Sequence, residues 1–273
     1  MLGLTNSLTN AKPLLYDSVG SVAFDGVREF INTGQTFQTI LRDSFTIAFW
    51  VRTDTRGLNY FGTKESGDTD HLILTDVSGV LTFEFKANSD PIKIESDGAF
   101  FATDGTGEEW WHIAIVVTKT GTGASDYSTV TIYKNGISLE DPGTTGALAG
   151  SNQGSYTCND NLAIAALNNN NTFGSISSIL GLSDFAVWNG ALPEVAIIDL
   201  VMANVPSATG GRAKNLLEAH GNYTATHAST LQTWYKLDEG TGTTIGDSGA
   251  GAGATDASFT GSSGNWRGEK PVN

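Results

Sequence analysis

Glycoside hydrolysis needs two carboxyl groups facing one cleft. On a β-strand that requirement reads as an E-x-D-x-E run, because alternation returns residues i and i+4 to the same face. No segment of the 273 residues meets it. The nearest approach, Glu95-Ser96-Asp97-Gly98, holds one glutamate and runs into a turn. Gly246-Asp247-Ser248-Gly249 imitates the nucleophile loop of a serine protease. A triad also needs a base placed by the fold, and His220 and His227 lie a short way upstream in a polar stretch. Gly240-Thr241-Gly242-Thr243-Thr244 is not followed by a helix-forming run, so turn chemistry explains its glycines better than a phosphate cradle does. The four histidines and the single Cys158 lack zinc spacing, and His112 alternates beside apolar residues as a strand histidine would. No catalytic residue is assigned, and no enzymatic activity is expected.

Two sets of residues keep a binding chemistry open. Asp68, Asp70 and Asp76 gather around a loop-strand boundary, where hard oxygen ligands for calcium could converge; solvated loop aspartates are the favoured reading, and no other cofactor is expected. Trp50, Trp110, Tyr133 and Trp188 fall on the strand faces opposite the most continuous apolar rows, where an aromatic plane could stack on a sugar or anchor a protein neighbour. The alternative is that both faces of an inner sheet are buried, which is the commoner fate of large aromatics.

The elements that must hold these residues read as strands. Phe45, Ile47, Phe49 and Val51 alternate with Thr46, Ala48, Trp50 and Arg52, which predicts a half-buried strand. Leu81, Phe83 and Phe85 alternate with Thr82, Glu84 and Lys86, and Trp111, Ile113, Ile115 and Val117 with His112, Ala114, Val116 and Thr118. A polar loop from Thr120 to Ser128 precedes a run from Thr129 to Tyr133, and Asn135-Gly136 then predicts a tight type I′ hairpin leading into Ile137-Ser138-Leu139. Leu162–Leu167 and Phe185–Trp188 read as two more strands around a polar run, Asn168–Thr172. One helix is expected near residues 193–203, with Pro193 and Glu194 in its first turn. Residues 204–232 read as a linker, and 233–273 as a C-terminal strand and tail that complete the sandwich or contact neighbours. Because a lone strand cannot bury Trp234 and Leu237, that strand should return to the main body. The Gly/Ala/Ser/Thr stretch Gly249–Gly264 carries so little apolar side chain that a neighbouring molecule is expected to order it.

Composition agrees with a turn-rich sandwich: 39% hydrophobic, 16% charged and 10% aromatic residues, with 33 glycines spread among short apolar runs. At this length a single domain over residues 1–273 is expected, large enough for a core without disulfides. With 15 basic against 29 acidic residues the formal charge is −14, which repels nucleic acid and anionic membranes alike. Residues Met1–Ala11 carry no basic and apolar leader pattern, so synthesis in a cytoplasm without a signal peptide is expected. Asn170-Asn171-Thr172 and Asn222-Tyr223-Thr224 match the N-glycan acceptor pattern, which matters only in a glycosylating host.

Several segments in one order resemble a known family. Phe24-Asp25-Gly26, Phe45–Val51, Trp110-Trp111-His112-Ile113-Ala114, the hairpin Val130–Gly136 and Ser183–Leu192 are similar to motifs of the laminin-G-like, concanavalin-A-like lectin/glucanase domains. The resemblance covers residues 24–203 and implies an all-β jelly-roll sandwich of two antiparallel sheets with one short helix. It also implies a rim calcium site as an option. In many secreted members a "W.LdEg…DsSG" segment comes first, whereas here Trp234–Gly240 and Asp247-Ser248-Gly249 come last. That order is similar to laminin-G-like domains in virion proteins of tailed phages.

Three functions follow as expectations. The first is a non-enzymatic virion structural protein, a capsid decoration or tail accessory displayed on the virion surface, docking as a homo-oligomer to other virion proteins. The second is a carbohydrate-binding lectin or adhesin with a glycan as partner. A glycoside-active enzyme comes third, because the paired glutamates are missing.

Overall fold

The computed structural model describes residues 20–87, 90–96, 110–120, 127–139, 156–202, 215–251, 254–261 and 265–268. In chain order the strands are β1 (Ser21–Asp25), β2 (Ile31–Asn32), β3 (Phe45–Arg52), β4 (Asn59–Lys64), β5 (His71–Val77), β6 (Val80–Ala87), β7 (Asp90–Glu95), β8 (Trp111–Thr120) and β9 (Tyr127–Lys134). They continue with β10 (Ile137–Ser138), β11 (Ala163–Ile164), β12 (Leu167–Asn169), β13 (Thr172–Gly174), β14 (Ser178–Trp188), β15 (Leu231–Tyr235), β16 (Thr244–Ile245), β17 (Ala257–Phe259) and β18 (Trp266–Arg267). Among the described residues three helices interrupt them: α1 (Gln38–Leu41), α2 (Glu194–Met202) and α3 (Ala225–Ser229).

Among the described residues these strands form two sheets, antiparallel except for a short parallel pairing of β12 with β4. The first runs β10-β9-β8-β3-β14-β1-β18, with β15 also on β14; the second runs β16-β17-β2-β11-β4-β5-β6-β7. This is the all-β sandwich expected. The inward rows are the ones the alternation picks out: Phe45, Ile47, Phe49 and Val51 of β3 meet Leu81, Phe83 and Phe85 of β6 and Ile113, Ile115 and Val117 of β8 in one buried cluster. Phe49, Phe61 and Phe185 pack with ring centroids 5.8–6.1 Å apart across that core.

The hairpin at Asn135-Gly136 forms as expected, with φ of 51° and 80° at its two central residues and Ile137 opposite Lys134. A second hairpin lies in what reads as a polar run: Asn170 and Asn171, at φ 51° and 58°, turn β12 into β13.

Three expectations are corrected. Strand β3 is buried on both faces, not half-buried, because a second apolar layer covers the outside of the first sheet. That layer joins Ala48, Ala114, Val116, Ala186 and Trp188 of the sheet to Ala196, Ile197 and Leu200 of α2 and to Leu216, Tyr223 and Ala228. The described part of the expected linker, 215–232, is therefore packed structure, its last two residues already in β15. It includes α3, whose Thr224 cap and His227 bond reciprocally. The tail is ordered by the chain itself where it is described: Ala257–Phe259 of β17 pairs with β2 and β16, and Phe259 is 2% exposed against Phe24 and Trp266. Its few large side chains suffice because the existing core supplies the partners. The leader region, Asp97-Gly98 and much of the Thr120–Ser128 loop fall outside the described residues, as do 203–214 of the linker.

Candidate functional site

At one edge of the sandwich, three separate segments enclose a groove of about 370 Å³. The connection from β2 into α1 contributes Gly34 to Ile40, β15 contributes Gln232, and the stretch between β16 and β17 contributes Gly251 and Ala254. Gly251 is required at its position: a Cβ there would fall 2.8 Å from the carbonyl oxygen of Gln232, to which its own N–H donates at 3.3 Å. The close backbone approach is what brings the late segment to the groove wall.

Side chains of the lining are held by bonds that reach far along the chain. Gln35 Nε2 donates to Thr233 Oγ1 at 3.2 Å, Tyr235 OH at 3.1 Å and Asp247 Oδ2 at 3.4 Å. Gln38 Nε2 donates to the carbonyl oxygens of Thr157 at 2.6 Å and Cys158 at 3.1 Å, and to Asn159 Oδ1 at 3.0 Å. Asp247 is the hub behind the wall, accepting from the N–H groups of Trp234, Gly249 and Thr255 as well. Phe37 and Ile40, both belonging to the inter-sheet core, supply the apolar part of the lining. Phe37 sits at φ 52°, a left-handed conformation that costs an aromatic residue about 1–2 kcal/mol. Its carbonyl is nevertheless used twice, accepting from Ile40 and Leu41 at 3.0 Å each. The groove therefore offers a hydroxyl- and amide-rich wall with the buried Phe37 and Ile40 behind it, in the size range of small-ligand sites.

The residues singled out from the sequence lie elsewhere. Trp50, Tyr133 and Trp188, set by alternation opposite the continuous apolar rows, are buried at 4%, 7% and 1% exposure, Tyr133 and Trp188 within the second apolar layer. Trp188 Nε1 donates to Tyr223 OH at 2.9 Å, and that hydroxyl donates to the Leu216 carbonyl at 2.8 Å. Trp110 is half-buried, its ring lying over Gly181, with the Arg52 guanidinium 5.9 Å from the ring centroid. These rings are positioned as packing elements of the sheet.

The three aspartates do not share a site. Asp68 bonds His71 Nδ1 at 2.9 Å and pairs with Lys64 and Lys86, and the His71 bond holds its carboxyl down at about 2. Asp70 accepts from the Thr157 N–H and hydroxyl at 2.7 and 2.6 Å, while Asp76 accepts from Gly79 N at 2.6 Å and Gly57 N at 3.4 Å. Among the described residues no group of three His, Cys, Asp or Glu side chains is gathered as for a metal. Glu95 pairs with Lys93 at 2.7 Å, and His220 stacks on Tyr223 at 4.9 Å.

A second, enclosed space lies beneath the outer layer, lined by Trp50, His112, Asp184 and Trp188 together with Ala48, Leu200 and Leu216. At about 10 Å³ it is at the lower limit for a single water. Burial pushes the Asp184 carboxyl up to about 6 and the His112 imidazole down to about 3.

The groove escapes sequence reading because its parts lie some two hundred positions apart and carry no motif. No family profile and no curated protein matches the chain. Solved structures similar to it include a Ruminococcus gnavus IT-sialidase CBM40 domain bound to α2,6-sialyllactose, at 13% identity over 67% of this chain and 98% of that one, TM-score 0.45. The NanB sialidase of Streptococcus pneumoniae is similar at 16% identity over 69% of this chain, which spans 29% of the sialidase, TM-score 0.45. Domains LG4-5 of the mouse laminin α1 chain are similar at 15% identity over 68% of this chain, which spans 48% of theirs, TM-score 0.41.

Proposed function

We propose that the protein is a non-catalytic carbohydrate-binding module and that the edge groove is its saccharide site. One observation carries the reading: a single concavity of about 370 Å³ sets Gln35, Gln38, Gln232, Thr36 and Thr39 beside Phe37 and Ile40. A pyranose has the same division, hydroxyls around its rim and an apolar C–H face. The enclosed space beside Asp184 is too small for such a ligand. The test is a glycan array probed with the full chain and with Thr39→Trp. Thr39 is exposed on the groove, so an indole there should occupy it and abolish retention while the melting temperature holds. Retention unaffected by Thr39→Trp, or no glycan retained by either protein, would overturn the reading.

A second reading, a virion surface protein that docks to other virion proteins, is favoured by one feature. The Asn135-Gly136 turn lies against Ile198 of α2, and Ile137, Val195 and Ile198 beside it are exposed, Ile137 at 72%. Its test is whether the chain occurs at fixed stoichiometry in purified particles. Absence from every particle fraction would dismiss it.

A further inference from the structure

We infer that the groove selects uncharged, hydroxyl-rich saccharides and rejects anionic ones, an inference that rests on the carbohydrate reading above. Asp247 as a carboxylate can only accept, so its contact with Gln35 fixes which end of that amide is nitrogen. The NH₂ faces Thr233, Tyr235 and Asp247, and the carbonyl oxygen Oε1 is left as the amide's acceptor for a ligand. Two main-chain carbonyls fix Gln38 in the same sense, its NH₂ turned to Thr157 and Cys158. Gln232 likewise turns its NH₂ to the Thr230 carbonyl at 3.2 Å. Gln35 and Gln38 thus spend both their donors on the protein, and Gln232 spends one of its two.

Among the described residues the remaining lining holds no lysine, arginine or histidine. The nearby Arg42 is held with Nε on the Tyr156 carbonyl at 3.0 Å and Nη2 on Gln38 Oε1 at 3.4 Å. Asp247 sits behind Gln35, and Asp256 Oδ1 accepts from the Asp247 N–H at 3.0 Å, so among the described residues two carboxylates stand against the single Arg42 guanidinium near the wall. A carboxylate or sulfate entering this groove would lose its water and find too few donors to replace it. A sugar hydroxyl fits both ways. It donates to Gln35 Oε1, and it accepts from the Thr36 or Thr39 hydroxyls, whose hydrogens can rotate to meet it.

The experiment is titration of the full chain, by calorimetry and by ¹H–¹⁵N shifts of the groove residues, with two sets of probes. The neutral set is cello-, malto-, laminari-, xylo- and chito-oligosaccharides; the anionic set is sialyllactose, oligogalacturonate and heparin-derived oligosaccharides. At least one neutral probe should shift the Gln35, Thr39 and Gln232 signals and bind at least about tenfold tighter than any anionic probe. Thr39→Arg, at an exposed position with room for a cation, should narrow or invert that ratio by about tenfold without altering the melting temperature. An anionic probe that binds the wild-type groove as tightly as the best neutral one overturns the selectivity and leaves the carbohydrate reading standing. If no probe of either set shifts groove signals, both fall.

Discussion

The indole N–H of Trp234 donates to Asp184 Oδ1 at 3.0 Å. That bond joins a late strand, β15, to a buried carboxyl on β14, where the pairing with β3 shifts register between Ser183 and Ala186. Asp184 itself has φ 53°, and its other oxygen accepts from Ser183 Oγ at 2.7 Å. Replacing Trp234 with Phe keeps most of the apolar contact and removes one of these two donors. Trp234→Phe should therefore destabilise by about 1–3 kcal/mol at neutral pH, where the carboxylate is ionised, and by less at pH 4. Urea unfolding at the two pH values checks it; an equal loss at both would mean that the ring volume, and not the bond, matters.

Asp184 and His112 line the same small cavity and should oppose each other in the pH dependence of stability. Burial raises Asp184 from 3.8 to about 6, with Ser183, Trp234 and Lys236 pulling the other way. The folded chain then holds a proton that the unfolded chain releases, so this contribution is full below pH 4 and is lost as pH rises through 6. Burial lowers His112 from 6.5 to about 3, so its contribution is full above pH 6.5 and is lost as pH falls toward 3. Wild type minus Asp184→Asn stability should fall by roughly 3 kcal/mol from pH 4 to 7. Wild type minus His112→Leu should rise by about 4 kcal/mol from pH 3 to 7. Between pH 4 and 6 the wild-type slope should be shallow and the two variants should slope in opposite senses. Variants whose profiles parallel the wild type would refute the coupling.

Thr46 fastens the entry to α2. Its buried hydroxyl donates to the Gly190 carbonyl at 2.9 Å and accepts from the Leu192 N–H at 2.9 Å. Thr46→Val preserves shape and leaves two main-chain groups without partners, so it should cost about 2–3 kcal/mol, while Thr46→Ser should cost under half as much. Equilibrium unfolding of the two variants decides it; a larger loss for Thr46→Ser than for Thr46→Val would assign the effect to the β-branched methyl.

The sandwich was legible because its inward rows are long alternating runs. Phe45 to Val51, Leu81 to Phe85 and Trp111 to Val117 each commit one face, and Asn135-Gly136 fixes the register of one hairpin. The other face of the same strands was not legible. Tyr133 and Trp188 look outward by alternation, and the packed 215–230 segment and α2 turn that outside into an inside. Sequence periodicity reports which residues share a face and is silent on what covers it. The groove was illegible for a related reason: Gln35, Gln232 and Gly251 are unremarkable singly, and their meeting depends on the path of β15 and on a backbone approach that glycine permits.

The late segment should be indispensable to folding. Leu231 to Tyr235 pairs along β14 as the continuation of β1 on the same side, and β17 supplies a neighbour for β2. Trp234, Tyr235, Leu237, Ile245 and Phe259 are all at 2% exposure or less, shared between the core and the outer layer. Removing everything after Ala203 would expose the edge of β14, strip partners from Phe24 and Trp188, and leave the Asp184 carboxyl without its indole. Each large aromatic lost from a packed site is worth about 3–5 kcal/mol, so the sum exceeds the whole stability of an ordinary domain. A 1–203 fragment should accumulate as aggregate, bind a hydrophobic dye and show no cooperative melting. Adding the missing 204–273 chain in trans should restore solubility if strand pairing is what it supplies. A soluble 1–203 fragment with a cooperative transition would show instead that β15 and β17 decorate a sandwich already complete without them.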